Sequence, residues 1–221
     1  NSGCRLTFDK CIFRDLKCNG RGCGGIGLWF VQENSESSQT IKFIGSTFER
    51  LIYSHNEDGG GAISITNNER NRYTQLIVDG CTFNDVHSEN GNGGAIYYYP
   101  KENKDFCSIM VKNSKFEKTY TQNKNGCGQA IYIGQTFSND NFIKHCKFTD
   151  CCNEFEEKYV IYFDVNYVEF SNNIVTFSDS TKKRGCVYSN RVYEHTYKNN
   201  IFCNARADGD FAAGIHERSS V

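Results

Sequence analysis

Residues 81–99 read CTFNDVHSENGNGGAIYYY, a phenylalanine element followed, after a polar turn, by a GGAI element. The pair recurs along the whole chain. Phenylalanines in the same setting stand at Phe13 (CIFRDL), Phe48 (STFERL), Phe83 (CTFNDV), Phe116 (SKFEKT), Phe148 (CKFTDC), Phe177 (VTFSDS) and Phe202 (NIFCNA), spaced by 35, 35, 33, 32, 29 and 25 residues. The second landmark is a small or branched residue after a turn, at Ile26, Ala62, Ala95, Ala130, Val160, Cys186 and Gly214. Two landmarks in fixed order, repeating every ~20–50 residues, mark a solenoid, propeller or array.

The content of the unit selects among these. One unit reads IKFIGS, TFERL and AISIT, and the next LIVDG, CTFNDV and AIYYY, three short β-like pieces with no helical stripe. A WD40-type blade needs four antiparallel strands joined by tight hairpins, and a leucine-rich repeat needs its own Leu/Asn framework; neither is present. The expectation is an all-β, right-handed, single-stranded parallel β-helix of about seven coils of 25–36 residues, one domain over 1–221 and part of a longer solenoid. The polar stretches at 31–40 and 67–74 are expected to loop out at one corner, where added length is tolerated.

Composition narrows the function. With 25 Lys/Arg against 26 Asp/Glu and no basic block, nucleic acid is not an expected partner. The longest apolar runs, such as 95–99, are too short to cross a bilayer, and the N-terminus lacks a signal-peptide pattern, so direct membrane insertion is not expected. A single proline and no Gly/Ser-rich linker leave no domain boundary to place.

The alternation of GGAI with F-x-x-N-like elements resembles the repeats of the chlamydial polymorphic outer membrane proteins and their relatives in some parasitic protists. The resemblance implies a β-helical surface or passenger region and a role in adhesion to host cells. The last motif position here holds Leu16, Leu51, Val86, Thr119, Cys151, Ser180 and Ala205 in place of asparagine, and intact GGAI occurs twice.

Stacked coils bring equivalent residues to about 4.8 Å, so aligned side chains form ladders. Two residues past each phenylalanine stand Asp15, Arg50, Asp85, Lys118, Asp150, Asp179 and Asn204, charges that alternate over the first five coils. Such alternation favours a solvated stabilising ladder, with Asp150 beside Asp179 the one like-charge step. Along the GGAI strand, placing Ile63, Ile65, Ile96, Tyr98, Ile131, Ile133, Ile161 and Phe163 inward puts Ser64, Tyr97, Tyr132, Tyr162 and Tyr188 outward. An exposed tyrosine row offers flat apolar faces with polar tips, suited to a sugar ring or a protein partner.

Twelve cysteines invite a disulfide framework, but Cys11, Cys81 and Cys146 fall at one site on alternate coils, with Ser46 and Ser114 between. Two coil steps exceed the reach of a disulfide, and these residues read as small buried thiols. Cys18 and Cys23 are the best pair, with Cys151, Cys152, Cys186 and Cys203 open. No finger-like metal spacing is present, and no cofactor or metal is expected. None of the asparagines opens an N-x-S/T sequon, which weighs against a secreted eukaryotic glycoprotein without removing surface or extracellular display.

Catalysis needs convergent groups, and the candidates are diffuse: His55, Glu57 and Asp58; Asp208 and Asp210; Glu154, Glu156 and Glu157; His87, His145, His195 and His216. The expectation is a non-catalytic surface or structural protein acting in adhesion or assembly, its partners a surface protein or glycan or further copies or coils stacked end to end. A polysaccharide lyase or glycoside hydrolase on the same scaffold is the alternative.

Overall fold

The computed structural model describes residues 4–19, 38–55, 59–67, 73–100, 107–154, 157–191, 193–208 and 212–218. They form three parallel sheets and no helix. The first sheet stacks Cys4–Asp9, Ser38–Ile44, Tyr73–Asp79, Ser108–Lys112, Phe142–Lys144, Tyr167–Ser171 and Glu194–Lys198. The second stacks Ile12–Cys18, Thr47–Tyr53, Thr82–Ser88, Lys115–Glu117, Lys147–Thr149, Ile174–Thr176 and Ile201–Cys203, with Tyr120–Thr121 beside Thr82–Ser88. The third stacks Ile63–Asn67, Ile96–Pro100, Ile131–Gly134, Lys158–Asp164, Arg184–Asn190 and Ile215–Arg218. The chain visits the three in turn and pairs each strand with the same strand of the next unit, the connectivity a parallel β-helix requires.

The register tests the sequence landmarks. Phe13, Phe48, Phe83, Phe116 and Phe148 pair in succession, and the column continues through Val175 to Phe202. The anchor expected at Phe177 is therefore Val175. The rings stack nearly flat, Phe48 on Phe83 at 4.6 Å and Phe83 on Phe116 at 4.5 Å. Each buried ring removes apolar surface worth ~1.5–3 kcal/mol, and each stacked pair adds ~0.5–1.5 kcal/mol. Phe177 sits two residues further on, buried, with the Arg184 guanidinium 5.8 Å from its ring centroid.

That shift corrects the charge ladder too. Phe177, not Asp179, follows Asp150 in register, so the like-charge step disappears. Asp150 instead accepts hydrogen bonds from Ser178 N (2.7 Å) and Oγ (2.6 Å). Arg50 does pair with Asp15 (Nε to Oδ1 2.5 Å), but neither Asp85 nor Lys118 forms an ion pair among the described residues. What unites the ladder is backbone geometry: Asp15, Arg50, Asp85, Lys118, Asp150 and Asn204 all have φ between 51° and 58°. Each makes the bend that turns the second-sheet strand toward the third sheet. A left-handed residue of this kind costs about 1–2 kcal/mol unless it is Gly, Asn or Asp, which explains four of these six residue choices and none of the charge alternation.

The corner between first and second sheets is built the same way, with Lys10, Gly45, Gly80, Asn113, His145, Asn172 and Asn199 in left-handed backbone. The next residue of each coil faces inward and closes a polar ladder. Cys11 N donates to Ser46 Oγ (3.2 Å), Cys81 N to Ser114 Oγ (3.1 Å), Cys146 N to Asn173 Oδ1 (2.9 Å) and Asn173 N to Asn200 Oδ1 (3.0 Å). Between the oxygens the thiols donate in turn, Cys81 Sγ to Phe43 O and Cys146 Sγ to Lys144 O. Burial pushes the Cys81 thiol up to about 11 and Cys146 up to about 12, which keeps both protonated as donors. Cys18 is a free thiol, and its expected partner Cys23 lies outside the described residues. Cys151, Cys152, Cys186 and Cys203 are free as well.

Asn173 joins three of these bonds at 0% exposure, including its Nδ2 to Ile143 O at 2.9 Å. Asn173→Ala is expected to destabilise the chain by about 1–3 kcal/mol, because buried backbone groups of Cys146 and Ile143 lose their partners. Asn173→Ser should recover part of that loss, since Ser46 and Ser114 fill the same site. Urea unfolding of the three proteins measures both differences.

Candidate functional site

The third sheet carries the site. Its strands follow a corner where two consecutive residues, Ala62 and Ile63, Ala95 and Ile96, Ala130 and Ile131, Val160 and Ile161, all face the core. Beyond that corner side chains alternate. Ile65, Tyr98, Ile133 and Phe163 are buried, and the Tyr98 hydroxyl donates to Thr74 O at 2.6 Å. The opposite face carries Ser64, Tyr97, Tyr132, Tyr162 and Tyr188 in one paired column that ends on His216. Successive centroids from Tyr97 to His216 lie 5.2, 5.1, 4.9 and 4.9 Å apart.

The row is not uniformly open. Tyr97 is only 6% exposed, which corrects its expected place on a free surface. Tyr99 lies 5.9 Å from Tyr97 and 6.4 Å from Tyr132, and it fills the space left by Gly134, where a Cβ would fall 2.7 Å from its ring. Tyr132, Tyr162 and Tyr188 are half-buried. Desolvation raises the pKa of Tyr132 and Tyr162 above the ordinary tyrosine range, so both hydroxyls stay protonated.

Tyr162 and Tyr188 form one wall of a cleft of about 290 Å³ that is completed by Tyr159, Glu157, Lys158, Cys127, Gly126 and Gly128. Tyr159 is the residue that sequence alternation missed. It precedes the Val160–Ile161 corner, so counting by twos from Tyr162 does not reach it, and its ring crosses Gly185, where a Cβ would fall 2.3 Å away. Its hydroxyl meets His216 Nδ1 at 2.9 Å and accepts a bond from Ala212 N at 3.3 Å. The pairing of Tyr159 with a glycine in the next coil was the readable signal.

The polar groups of the cleft are few. Glu157 is the one carboxylate among its lining residues, held 3.6 Å from Lys183, which also reaches Asp208 at 2.8 Å. Lys158 donates to Lys124 O. The hydroxyls of Tyr162 and Tyr188 make no hydrogen bond among the described residues. The surface therefore offers apolar ring faces edged by phenol hydroxyls, one acid and one amine. No cluster of three or more His, Cys, Asp or Glu side chains able to hold a metal occurs among the described residues.

The other candidates are scattered. His87 stacks on Tyr120 at 4.8 Å, His145 makes a first-sheet corner, and Glu57, Asp58, Glu156 and Asp210 lie outside the described residues. His195 is half-buried with Nε2 2.9 Å from Val165 O and Nδ1 3.1 Å from Ser189 Oγ. Ser189 is 0% exposed, so the pair is closed to a substrate. Burial lowers the His195 pKa, partly offset by the Val165 bond. The unfolded chain therefore binds more protons, and stability present above the ordinary histidine pKa of about 6.5 is lost as pH falls below it. Urea midpoints should drop between neutral pH and pH ~5.5, above the range where carboxylates titrate, and His195→Gln should remove part of that drop.

No helix among the described residues is long and apolar enough to cross a membrane. No family model, curated protein or solved structure matches the chain.

Proposed function

We propose that this chain is a non-catalytic right-handed β-helix of about seven coils that binds glycans through the tyrosine cleft of its third sheet and serves adhesion at a cell surface or extracellular site. The observation that carries the reading is the wall of Tyr162 and Tyr188, stacked at 4.9 Å, with Tyr159 turned in beside it at 5.2 Å from Tyr188. Flat apolar faces with polar edges pack on the C–H face of a pyranose while hydroxyls and the Glu157 and Lys158 head groups meet the sugar hydroxyls. The volume suits one or two sugar rings.

A glycosidase or lyase is the weaker reading on this site. Hydrolysis places two carboxyl groups about the scissile bond, and Glu157, exposed and facing Lys183, has no second carboxylate among the residues lining the cleft. The resemblance of the repeats to adhesive surface proteins points the same way as the cleft.

Probing a glycan array with the labelled chain tests the proposal. Binding to a restricted set of glycans is expected, weakened about tenfold or more by Tyr188→Ala or Tyr162→Ala and retained by Tyr188→Phe. Absence of glycan binding, or binding indifferent to both alanine variants, overturns it; retention of a protein ligand by the same cleft would redirect it to protein recognition.

A further inference from the structure

The tyrosine cleft offers more donors than acceptors, and its half-buried charge is a cation. Resting on the glycan reading of that cleft, we infer that its ligand is a pyranose bearing a carboxylate, which Lys158 receives. Two charged residues line the cleft, Glu157 and Lys158, and they stand in different conditions. Glu157 is exposed, where solvent screens it, and faces Lys183 at 3.6 Å, a lysine that also reaches Asp208 at 2.8 Å. Lys158 is half-buried and forms no ion pair among the described residues; its ammonium donates to Lys124 O, a neutral carbonyl.

Register adds a second cation. Lys158 pairs directly with Arg184 of the next coil, so two positive side chains occupy opposite positions on adjacent strands. Arg184 does not line the cleft, but it is 6% exposed, its Nε has no partner, and its Nη2 reaches Asn153 O at 3.4 Å. It too forms no ion pair among the described residues. Like charges directly opposite each other are unfavourable, and a buried cation without a counter-ion is more so. A carboxylate on Lys158 offsets that repulsion, whereas a neutral sugar leaves it in place.

The hydrogen-bonding groups left to a ligand point the same way. The Tyr159 hydroxyl is engaged by His216 Nδ1 and Ala212 N, Cys127 N donates to Asn92 Oδ1 at 2.8 Å, and the Cys127 thiol turns to Asn125 O. What remains is the Lys158 ammonium and the hydroxyls of Tyr162 and Tyr188, all donors, against the one carboxylate of Glu157. A ligand carboxylate accepts several such bonds at once. On a uronic-acid pyranose the carboxylate extends from the ring edge, nearly in its plane. A ring lying flat on Tyr162 and Tyr188, stacked at 4.9 Å, therefore sends it sideways toward the cleft wall that holds Lys158.

Matched glycans test the inference: oligosaccharides ending in a uronic or sialic acid, the methyl esters of the same compounds, and sulfated forms of their neutral cores, each titrated against the whole chain. Esterification keeps the ring and removes the charge. The free acids are expected to bind about tenfold or more tightly than their esters, and more weakly as NaCl is raised from about 0.05 to about 0.5 M. Lys158→Met should bring acid and ester to within about twofold of each other while ester binding is kept, and Lys158→Arg should retain the preference. Acids and esters that bind alike overturn the inference, as does a preference that persists in Lys158→Met or one for sulfated forms over acids. Each of those results leaves the glycan reading standing where Tyr188→Ala still removes binding. Absence of binding to every glycan overturns both.

Discussion

Phe83→Ala is expected to destabilise the chain by about 3–5 kcal/mol, the largest loss available to a single side-chain truncation in this core. Phe83 is 0% exposed and lies flat between Phe48 at 4.6 Å and Phe116 at 4.5 Å, with interplanar angles of 1° and 2°. Truncation opens a void bounded above and below by rings that are themselves locked in a column, so collapse is limited. In a solenoid each coil is supported chiefly by its neighbours, and a cut at the middle of the column also weakens the coupling between the two halves. Chemical denaturation should therefore show an earlier and broader transition. Phe13→Ala removes the same atoms at the partly buried end of the column and should cost about 1–2 kcal/mol. Equal losses for the two variants would contradict a continuous stack.

Gly94→Ala is expected to be at least as damaging, at about 4 kcal/mol or more, through a different cause. A Cβ there would lie 2.1 Å from Gln129 O and 2.4–2.5 Å from backbone atoms of Tyr120. These neighbours are all main chain of the adjoining coil, and no rotamer change relieves them. Gly80 supplies the contrast: its φ is +65°, yet the nearest atom to an added Cβ is 3.9 Å away. Gly80→Asn should be nearly neutral, since Asn113, Asn172 and Asn199 already hold that corner in left-handed backbone. Comparing thermal midpoints separates the two reasons for which this chain uses glycine, close approach at Gly94 and backbone handedness at Gly80.

These contrasts also show why parts of the architecture could be read from the sequence. The phenylalanine column and the Ala62-to-Gly214 landmark follow from one physical rule: the same narrow space recurs in every coil and selects the same shape. The rule has a blind spot, because the column accepts any residue of suitable volume. Where VTFSDS offered both Val175 and Phe177, chemical likeness favoured the phenylalanine, while hydrogen-bond register places Val175 opposite Phe148. Asp15, Arg50, Asp85, Lys118 and Asp150 suggested electrostatics, and their shared positive φ shows that the position is set by a bend that several polar residues tolerate. Backbone dihedrals of that kind leave only a weak trace in residue type.

The tyrosine row was legible because a strand alternates strictly once it leaves the corner. Its exposure was not. Whether Tyr97 sees solvent depends on Tyr99, two residues along the same strand, leaning across Gly134 of the next coil, where the missing side chain leaves room for its ring. The cleft itself depends on Tyr159, which stands on the far side of a corner where two successive residues face inward, and on the turn at Gly126 and Gly128. A site assembled from a corner, a turn and a strand of different coils has no local sequence signature.

Binding without chemistry at the tyrosine cleft is tested most directly by incubating the chain with the glycan that it selects and following bound ligand and newly released or unsaturated sugar ends in the same sample. Saturable binding that Tyr188→Ala abolishes, with no new ends formed over the incubation, is the expected result. Time-dependent release of sugar ends that depends on Glu157 would contradict it and make the cleft an active site.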